Sequence, residues 1–332
     1  MSRFFILVYC KIESEVFFIS SERQINKIES FDMSADAYTK VVEMGNIIEL
    51  TSMQKRPIEP PTRRISSDCY VNVHTGDLGY YRHIDNRSGS IQSIRHTLAH
   101  IRALINTNCY NPKNVKWVTF TYADNMTDTQ RLYSDYKKFW QKFLRYCKRN
   151  SFPKCDYIIV IEPQGRGAWH IHSFFIFQNV APFIPNDDIS KMWGQGFTKT
   201  KACNDCDNIG AYFSAYLADM PFDEYTQLSD VPSTFKIEEK DFEDEQGFIK
   251  SKKFVKGGRL YLYPPKMNIV RHSKGIKYPE VSYDTKENAE KKVCSAQQTF
   301  SSTFEIVDVS SSDVINIIQK SYYNKKRKIK QD

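Results

Sequence analysis

Residues 157–177 read YIIVIEPQGRGAWHIHSFFIF, and this stretch decides the fold. Runs of β-branched and aromatic residues at 157–162 and 168–177 are typical of strands. The segment between them, 164–167, contains two glycines and favours a tight turn. The stretch therefore predicts a β-hairpin. Its second strand ends in the apolar residues 174–177, which indicates a strand that enters a core.

A polar cluster is predicted at the other end of this hairpin. Residues two apart in a strand share a face, so His170 and His172 point together, about 6–7 Å apart. If the chain turns around Arg166, Glu162 lies opposite His170 on the same face. Two imidazoles and a carboxylate with open coordination positions suit Mg²⁺, Mn²⁺ or a transition metal that also touches a phosphate. The alternative is that both histidines are ordinary hydrogen-bonded strand residues, as is usual for an isolated His-x-His pair.

The segments around the hairpin indicate an α+β fold. Apolar residues recur at helical spacing in some of them, and β-branched and aromatic residues cluster in others. The predicted helices are 90–106, 128–149, 187–193 and 209–220, and the further predicted strands are 4–9, 115–122 and 259–263. Strands mixed with helices, without a regular alternation, favour α+β.

The chain is predicted to hold one main domain with extensions at both ends. Residues 1–66 are an N-terminal extension that ends in a proline-rich linker. The main domain spans 67–280 and includes a highly charged, exposed insertion at 236–256. Residues 281–332 form a C-terminal extension, in which the polar residues 295–312 end the compact part and a basic tail follows.

Composition and charge set wider limits. The 332 residues are 41% hydrophobic and carry a formal net charge of +8, which suits a folded protein and is compatible with a polyanionic partner. The eight cysteines are scattered and no secretory signal precedes them, so we expect a reducing, cytoplasmic location. No apolar stretch reaches membrane length, and we expect no membrane contact. Cys203 and Cys206 have zinc-knuckle spacing, but no second ligand pair is evident in the sequence.

Tyr212 and Tyr216 form a second candidate site. Because they are four residues apart on a predicted helix, they share a face. A phenol is a weak nucleophile at neutral pH since its pKa is about 10, but a nearby divalent cation polarises a phosphate and favours the phenolate. Attack on DNA would leave a phosphotyrosine, and two tyrosines permit two successive transfers. The alternative is that both rings are core aromatics.

These parts, in this order, resemble the HUH endonuclease superfamily, in particular the rolling-circle replication initiators of small phages and plasmids. The resemblance covers roughly residues 67–278 and rests on several motifs together. Residues 117–122 are similar to the first family motif, 162–172 to the metal-binding motif, and 212–216 to the nucleophile motif, and 193–197, 259–261 and 271–276 resemble this initiator branch as well.

The resemblance implies a five-stranded antiparallel sheet of the ferredoxin or RRM type, flanked by helices, with the histidines on a central strand and the tyrosine helix alongside. It implies that Glu162, His170 and His172 bind Mg²⁺ or Mn²⁺. Either Tyr212 or Tyr216 would attack single-stranded origin DNA, with Tyr212 slightly favoured as the first of the pair. The products would be a 5′-phosphotyrosyl link and a free 3′-OH, used with a host helicase and DNA polymerase in the cytoplasm of a bacterial cell.

One departure from the family concerns charge beside the tyrosines. The family often places lysines within and just after the pair, where this chain has Ala215 and Asp219. A basic side chain from elsewhere would then neutralise the phosphate, and an aromatic ring could stack on a base, although core packing is the alternative for such a ring. The candidates for DNA contact are Arg166, Lys199, Lys201 and Trp169. Three functions stay open: a replication initiator, a relaxase or transposase with the same chemistry, and a catalytically weakened DNA-binding protein.

Overall fold

The computed structural model describes residues 3–12, 15–57, 62–81, 91–164, 166–203, 208–211, 213, 220–222, 237–243, 249–255, 259, 262–264 and 267–328. The chain divides into two compact units. The central unit is Arg82–Tyr278, and the terminal unit combines Met1–Tyr81 with Pro279–Asp332. The sequence predicts the main domain as 67–280, whereas residues 67–81 lie in the terminal unit.

Strands dominate both units. The strands are β1 (Arg3–Ile12), β2 (Glu15–Ile28), β3 (Tyr38–Met44), β4 (Ile47–Met53), β5 (Thr62–Arg64), β6 (Cys69–Asn72), β7 (Leu78–Tyr80), β8 (Val115–Phe120), β9 (Cys155–Pro163), β10 (Trp169–Phe177), β11 (Thr198–Ala202), β12 (Met220–Pro221), β13 (Ile237–Glu243), β14 (Ile249–Val255), β15 (Val270–His272), β16 (Glu280–Thr285), β17 (Ala296–Asp308) and β18 (Val314–Lys328). The α-helices are α1 (Ile91–Asn108), α2 (Thr129–Arg149), α3 (Asn186–Trp193) and α4 (Lys286–Lys291), and residues 209–211 and 213 are also helical. Within the described ranges, no helix is both long and apolar enough to cross a membrane.

The predicted α+β class is confirmed: the strand pairings are antiparallel, and helices are few. The described residues form sheets of seven, five, three and three strands, so the predicted five-stranded core is one of several sheets. In the central unit, the five-stranded sheet has the order β11-β8-β10-β9-β15. The segment predicted as an exposed charged insertion is a second antiparallel element there, because β13 and β14 pair with each other and β14 also pairs with β12.

The two ends of the chain share a seven-stranded sheet in the terminal unit, in the order β1-β2-β17-β18-β4-β3-β16. The prediction that the compact part ends in residues 295–312 is wrong, because β17 and β18 are inner strands with a partner on each side. The basic residues near the C-terminus belong to β18 as far as Lys328. Their pairing partners lie hundreds of residues away in the sequence, which local patterning does not reveal.

Helix α2 covers one face of the five-stranded sheet. It begins after its N-cap Asp128, whose side chain accepts hydrogen bonds from two backbone N–H groups. The buried ring of Phe139 stacks on Phe175 of β10, with 6.1 Å between ring centroids. The hydroxyl groups of Tyr136 and Ser173 share a hydrogen bond of 2.7 Å inside this interface. The apolar stripe predicted for this helix is therefore its contact surface with the sheet.

The opposite face of the sheet carries His170, His172 and Phe174, because side chains alternate along β10. Phe213, from the short helical segment, packs on this face with its ring 5.3 Å from that of Phe174. A backbone N–H of the same segment donates to the side chain of Asn106 in α1 at 2.9 Å. Helical residues thus cover the apolar end of this face.

Two glycines shape the link between α3 and β11. Gly194 ends α3 with a φ of 65°, a left-handed conformation that favours glycine. A Cβ on Gly196 would lie 2.6 Å from the backbone nitrogen of Ala123, so a larger residue would push the link away from the end of β8. The indole N–H of Trp193 donates to the Thr121 carbonyl at 2.8 Å and fastens the same link.

Phe139 tests the packing of α2 on the sheet. Its side chain is 1% exposed, so Phe139→Ala is expected to lower the free energy of unfolding by about 3–5 kcal/mol through the cavity it leaves. Leu144→Ala, on the exposed side of the same helix and 43% exposed, is the matched control, with an expected change of about 0.5 kcal/mol. Urea denaturation followed by circular dichroism measures both. Equal losses would contradict the packing described.

Candidate metal centre

Glu162, His170 and His172 converge at the polar end of the hairpin formed by β9 and β10. One ligand atom from each lies within 4.8 Å of the others, and the described residues contain no second such group. The predicted placement of Glu162 opposite His170 is confirmed by the strand register. The carboxylate is buried and both imidazoles are half-buried, so the cluster keeps an accessible side.

Glu162 is held from two directions. Its Oε1 accepts a hydrogen bond from Arg259 Nε at 3.0 Å, and its Oε2 lies 2.9 Å from His172 Nε2. Arg259 also donates to the Pro163 carbonyl at 2.7 Å. A buried carboxylate is costly unless it is paired, and the guanidinium group provides the pairing charge.

Arg259 opens the segment 259–263, which the sequence predicts as a strand. That prediction is wrong for the described residues of the segment, 259 and 262–263, which form turns instead. Its side chains reach β9: Arg259 bonds the Pro163 carbonyl, and the Tyr263 hydroxyl donates to the Ile161 carbonyl at 2.9 Å. The prolines that follow lack an N–H for a strand ladder.

His170 contacts the loop of the hairpin. Its Nε2 lies 2.8 Å from Gln164 Nε2, and the side-chain carbonyl oxygen of Gln164 accepts a hydrogen bond from Arg166 Nε at 3.1 Å. Burial, and then the neighbouring His172, lower the pKa of His170 to about 4. His170 is therefore neutral near pH 7, which is the form of imidazole that binds a metal.

The second ring nitrogen of His172 faces β8. Nδ1 lies 3.4 Å from both Trp117 Nε1 and Thr119 Oγ1. The ring of Phe213 packs beside the imidazole, with 5.2 Å between centroids. Metal-binding histidines commonly engage their second nitrogen in a hydrogen bond that fixes the ring orientation, and Thr119 is suited to this role.

The donor set fits a divalent cation. It offers two imidazole nitrogens and one carboxylate oxygen within 4.8 Å, and a cation with this ligand set keeps positions for water or a phosphate oxygen. In the structure, His170 Nε2 contacts Gln164 and His172 Nε2 contacts Glu162. A cation bound through these nitrogens would replace both contacts.

Two of the predicted DNA-binding residues lie on the edge strand β11. The register pairs Lys199 with Thr119, and Thr119 with His172, so all three share the histidine face. Two strand spacings separate the backbones of Lys199 and His172, which amounts to about 10 Å. Lys201 pairs with Trp117 on the same face, with its ammonium group 5.8 Å from the ring centroid. Both lysines are exposed.

The other two predicted DNA contacts differ from each other. Arg166 is exposed at the hairpin loop and reaches Gln164, the residue that contacts His170. Trp169 is 2% exposed, and its indole N–H donates to the Thr127 carbonyl at 2.8 Å. It alternates with His170 and points to the other face of the sheet. This burial corrects the prediction that Trp169 contacts DNA.

Tyr212 and Tyr216, the predicted nucleophiles, lie outside the described residues, as do Ala215, Asp219 and Cys206. The described residues 209–211 and 213 are helical, in agreement with the start of the predicted helix. Phe213 is the chain neighbour of Tyr212, and its ring contacts His172. Cys203, the described half of the zinc-knuckle pair, is buried.

The sequence analysis missed three side chains that support the ligands: Gln164, Thr119 and Arg259. The strand pattern of 115–122 places Thr119 on one face, but nothing in it identifies β10 as the partner strand. No local signal connects Arg259 with Glu162, because the contact spans about a hundred residues of chain.

Comparison with known proteins gives one match. A family model of replication-associated proteins, the ORF2 type, matches residues 115–221, less than half of the chain. This segment contains β8, α2, the hairpin, α3 and β11, and therefore all three candidate ligands. No curated protein and no solved structure matches the chain significantly. Over this segment the chain is similar to replication-associated proteins, which is consistent with a role in starting replication.

The metal centre predicts one binding site per chain for Mn²⁺. His170→Ala and His172→Ala are each expected to weaken binding by more than about 100-fold, since even loss of a residue that only orients a ligand costs about 10–100-fold. Isothermal titration calorimetry measures the affinity. His272→Ala, on β15 of the same sheet, is the control and should bind Mn²⁺ as the natural protein does. If both ligand variants bound Mn²⁺ normally, the centre would be elsewhere.

Proposed function

We propose that this protein initiates DNA replication by cutting single-stranded origin DNA through a tyrosine, with a divalent cation held by Glu162, His170 and His172. The observation that carries the proposal is the convergence of these three side chains within 4.8 Å beside a helical segment. The similarity of residues 115–221 to replication-associated proteins supports the setting in replication.

The proposed step is a transesterification. The phenol oxygen of the tyrosine bonds to phosphorus, the bond between phosphorus and the 3′ oxygen breaks, and the phenol proton ends on that 3′ oxygen. The products are a 5′-phosphotyrosyl link and a free 3′-OH. A divalent cation, Mg²⁺ or Mn²⁺, would supply positive charge that polarises the phosphate and favours the phenolate.

The nucleophile candidates are Tyr212 and Tyr216, with Tyr212 favoured. The support is Phe213, which follows Tyr212 directly and contacts the His172 ring at 5.2 Å between centroids. A helix sets residues four apart on one face, so the two tyrosines would act from one surface. This matches a reaction with two successive transfers.

Positive charge for the scissile phosphate would come from Lys199 and Arg166. Lys199 lies on the histidine face about 10 Å from the His172 backbone, and its extended side chain spans much of that distance. Arg166 stands beside Gln164 at the rim of the centre. Together they would take the role of the family lysines that Ala215 and Asp219 replace.

The partners follow from the products. The free 3′-OH would be extended by a host DNA polymerase, and a host helicase would separate the strands. A relaxase or transposase shares the same chemistry and differs in its DNA target. A catalytically weakened DNA-binding protein would keep the fold and bind DNA without a covalent product, and Ala215 and Asp219 are the features that favour it.

A covalent adduct tests the chemistry. The protein is mixed with Mn²⁺ and a pool of single-stranded oligonucleotides of random sequence, labelled at the 3′ end. We expect labelled protein on a denaturing gel, because the tyrosine keeps the fragment that carries the 5′ phosphate. Chelation of the metal, or Tyr212→Phe combined with Tyr216→Phe, should abolish the adduct. Tyr110→Phe, at a tyrosine that is 55% exposed, should leave it unchanged.

The controls separate the alternatives. The same pool labelled at the 5′ end should give a shorter free fragment and no labelled protein. DNA binding without an adduct under every divalent metal tested would favour the non-catalytic alternative. An adduct that persists after both tyrosine substitutions would overturn the assignment of the nucleophile.

Lys199→Gln tests the proposed source of charge. Adduct formation should slow by about tenfold or more, because one cation near the scissile phosphate is lost. Mn²⁺ affinity should stay unchanged, since Lys199 is not among the ligands. Lys113→Gln, at another exposed lysine, is the matched control. A parallel loss of metal affinity in Lys199→Gln would mean that the lysine acts through the structure of the centre instead.

A further inference from the structure

A strongly basic groove lies between α2 and α3, with a volume of about 800 Å³. The side chains that line it are Lys142, Arg145, Lys148, Arg149, Lys191 and Met192. Five of the six carry a positive charge, and all five cations are exposed. The groove is therefore a concentrated positive surface within the central unit.

Nothing in the described part of the chain neutralises this charge. None of the five cations makes an ion pair with a described residue; Lys142 donates to the Met192 carbonyl at 3.2 Å, and Arg145 donates to the Gln141 carbonyl at 3.1 Å. The nearest acidic residues of α3, Asp187 and Asp188, stand at its opposite end. Like charges so close repel one another, which an anionic ligand would relieve.

The groove has a fixed shape because α3 is fastened on both sides. Asn186, at the start of α3, donates to the Thr198 carbonyl at 3.0 Å and accepts a hydrogen bond from the Thr200 hydroxyl at 3.2 Å. On the other side, the Tyr146 hydroxyl of α2 donates to Asp188 at 2.9 Å. The five cations are thus held on a rigid frame rather than on loops.

The groove and the metal centre lie on opposite faces of the five-stranded sheet. Thr198 and Thr200 of β11 face α3, and Lys199 and Lys201, which alternate with them, face the histidine side. The two basic surfaces therefore meet at the edge strand β11. The proposed cutting chemistry uses only the histidine side, so the groove has no part in it.

We propose that this groove binds the phosphate backbone of double-stranded DNA, at a site separate from the metal centre. The cations of α2 in the groove span seven residues of helix, or about 10 Å, and a duplex presents about six phosphate charges over that length of its axis. The lining contains no aromatic side chain, whereas surfaces that bind single strands stack bases on aromatic rings.

Other anionic partners fit the groove less well. A helix that binds a membrane surface exposes an apolar face for insertion. The apolar face of α2 is instead buried against the sheet, and the only apolar side chain of the groove lining described by the structure is Met192. Backbone contacts of this kind are independent of DNA sequence and depend strongly on salt.

The test measures duplex affinity across a salt series by fluorescence anisotropy, in the presence of EDTA so that no cutting occurs. The groove variant combines Arg145→Gln, Lys148→Gln and Lys191→Gln, and it keeps Lys142 because of its bond to Met192. The slope of log affinity against log salt should fall by about 2.7, since each lost phosphate contact removes about 0.9. The Kd near 0.1 M salt should rise at least about tenfold, equally for two unrelated sequences.

The matched control removes the same charge elsewhere in the central unit, through Lys113→Gln, Lys154→Gln and Lys277→Gln at exposed lysines. It should keep the natural slope, and so should a groove variant with Arg145→Lys, Lys148→Arg and Lys191→Arg, which retains the charges. An equal fall of slope in the control would overturn the proposal, as would an unchanged slope in the groove variant. Weaker binding to anionic phospholipid vesicles with DNA affinity intact would also overturn it. The outcome does not depend on the cutting reaction, because the metal is absent throughout.

Discussion

The register between β9 and β10 is the constraint on which the candidate metal centre depends. It pairs His170 with Glu162, and a slip of one residue would turn the carboxylate to the opposite face of the sheet. Two features hold the register. The loop closes with a hydrogen bond from the Gln164 N–H to the Ala168 carbonyl at 2.8 Å, and Phe175 must stay on the face that α2 covers.

The sheet therefore serves two purposes with its two faces. One face is packed by α2, which makes the strands rigid. The other carries the ligands at its polar end and is covered by helical residues at its apolar end. A metal site needs ligands held within a fraction of an ångström, and strands buried on one side supply that support. The edge strand β11 extends the same alternation: its lysines face the centre, and its threonines hold α3.

What local patterning could predict was the hairpin, its register, and the existence of α1, α2 and α3, because these depend on periodicity and turn residues within a short stretch. The seven-stranded sheet escaped prediction, since β17 finds β2 at the other end of the chain and neither strand encodes its partner. The same reason hid Arg259, whose contact with Glu162 depends on the fold. Trp169 was misplaced because strand alternation, which places the histidines on one face, puts it on the other.

The pairing of Arg259 with Glu162 bears on how a cation would be bound. The two opposite charges cancel, and His170 is neutral near pH 7 because burial lowers its pKa to about 4. A divalent cation would therefore keep most of its charge unbalanced by these groups, and a phosphate of DNA would be the natural counter-charge. Metal and DNA should accordingly favour each other's binding. A carboxylate without this arginine would hold the cation more strongly on its own and leave less of its field for the phosphate, so the salt bridge tunes the centre toward a cation shared with substrate.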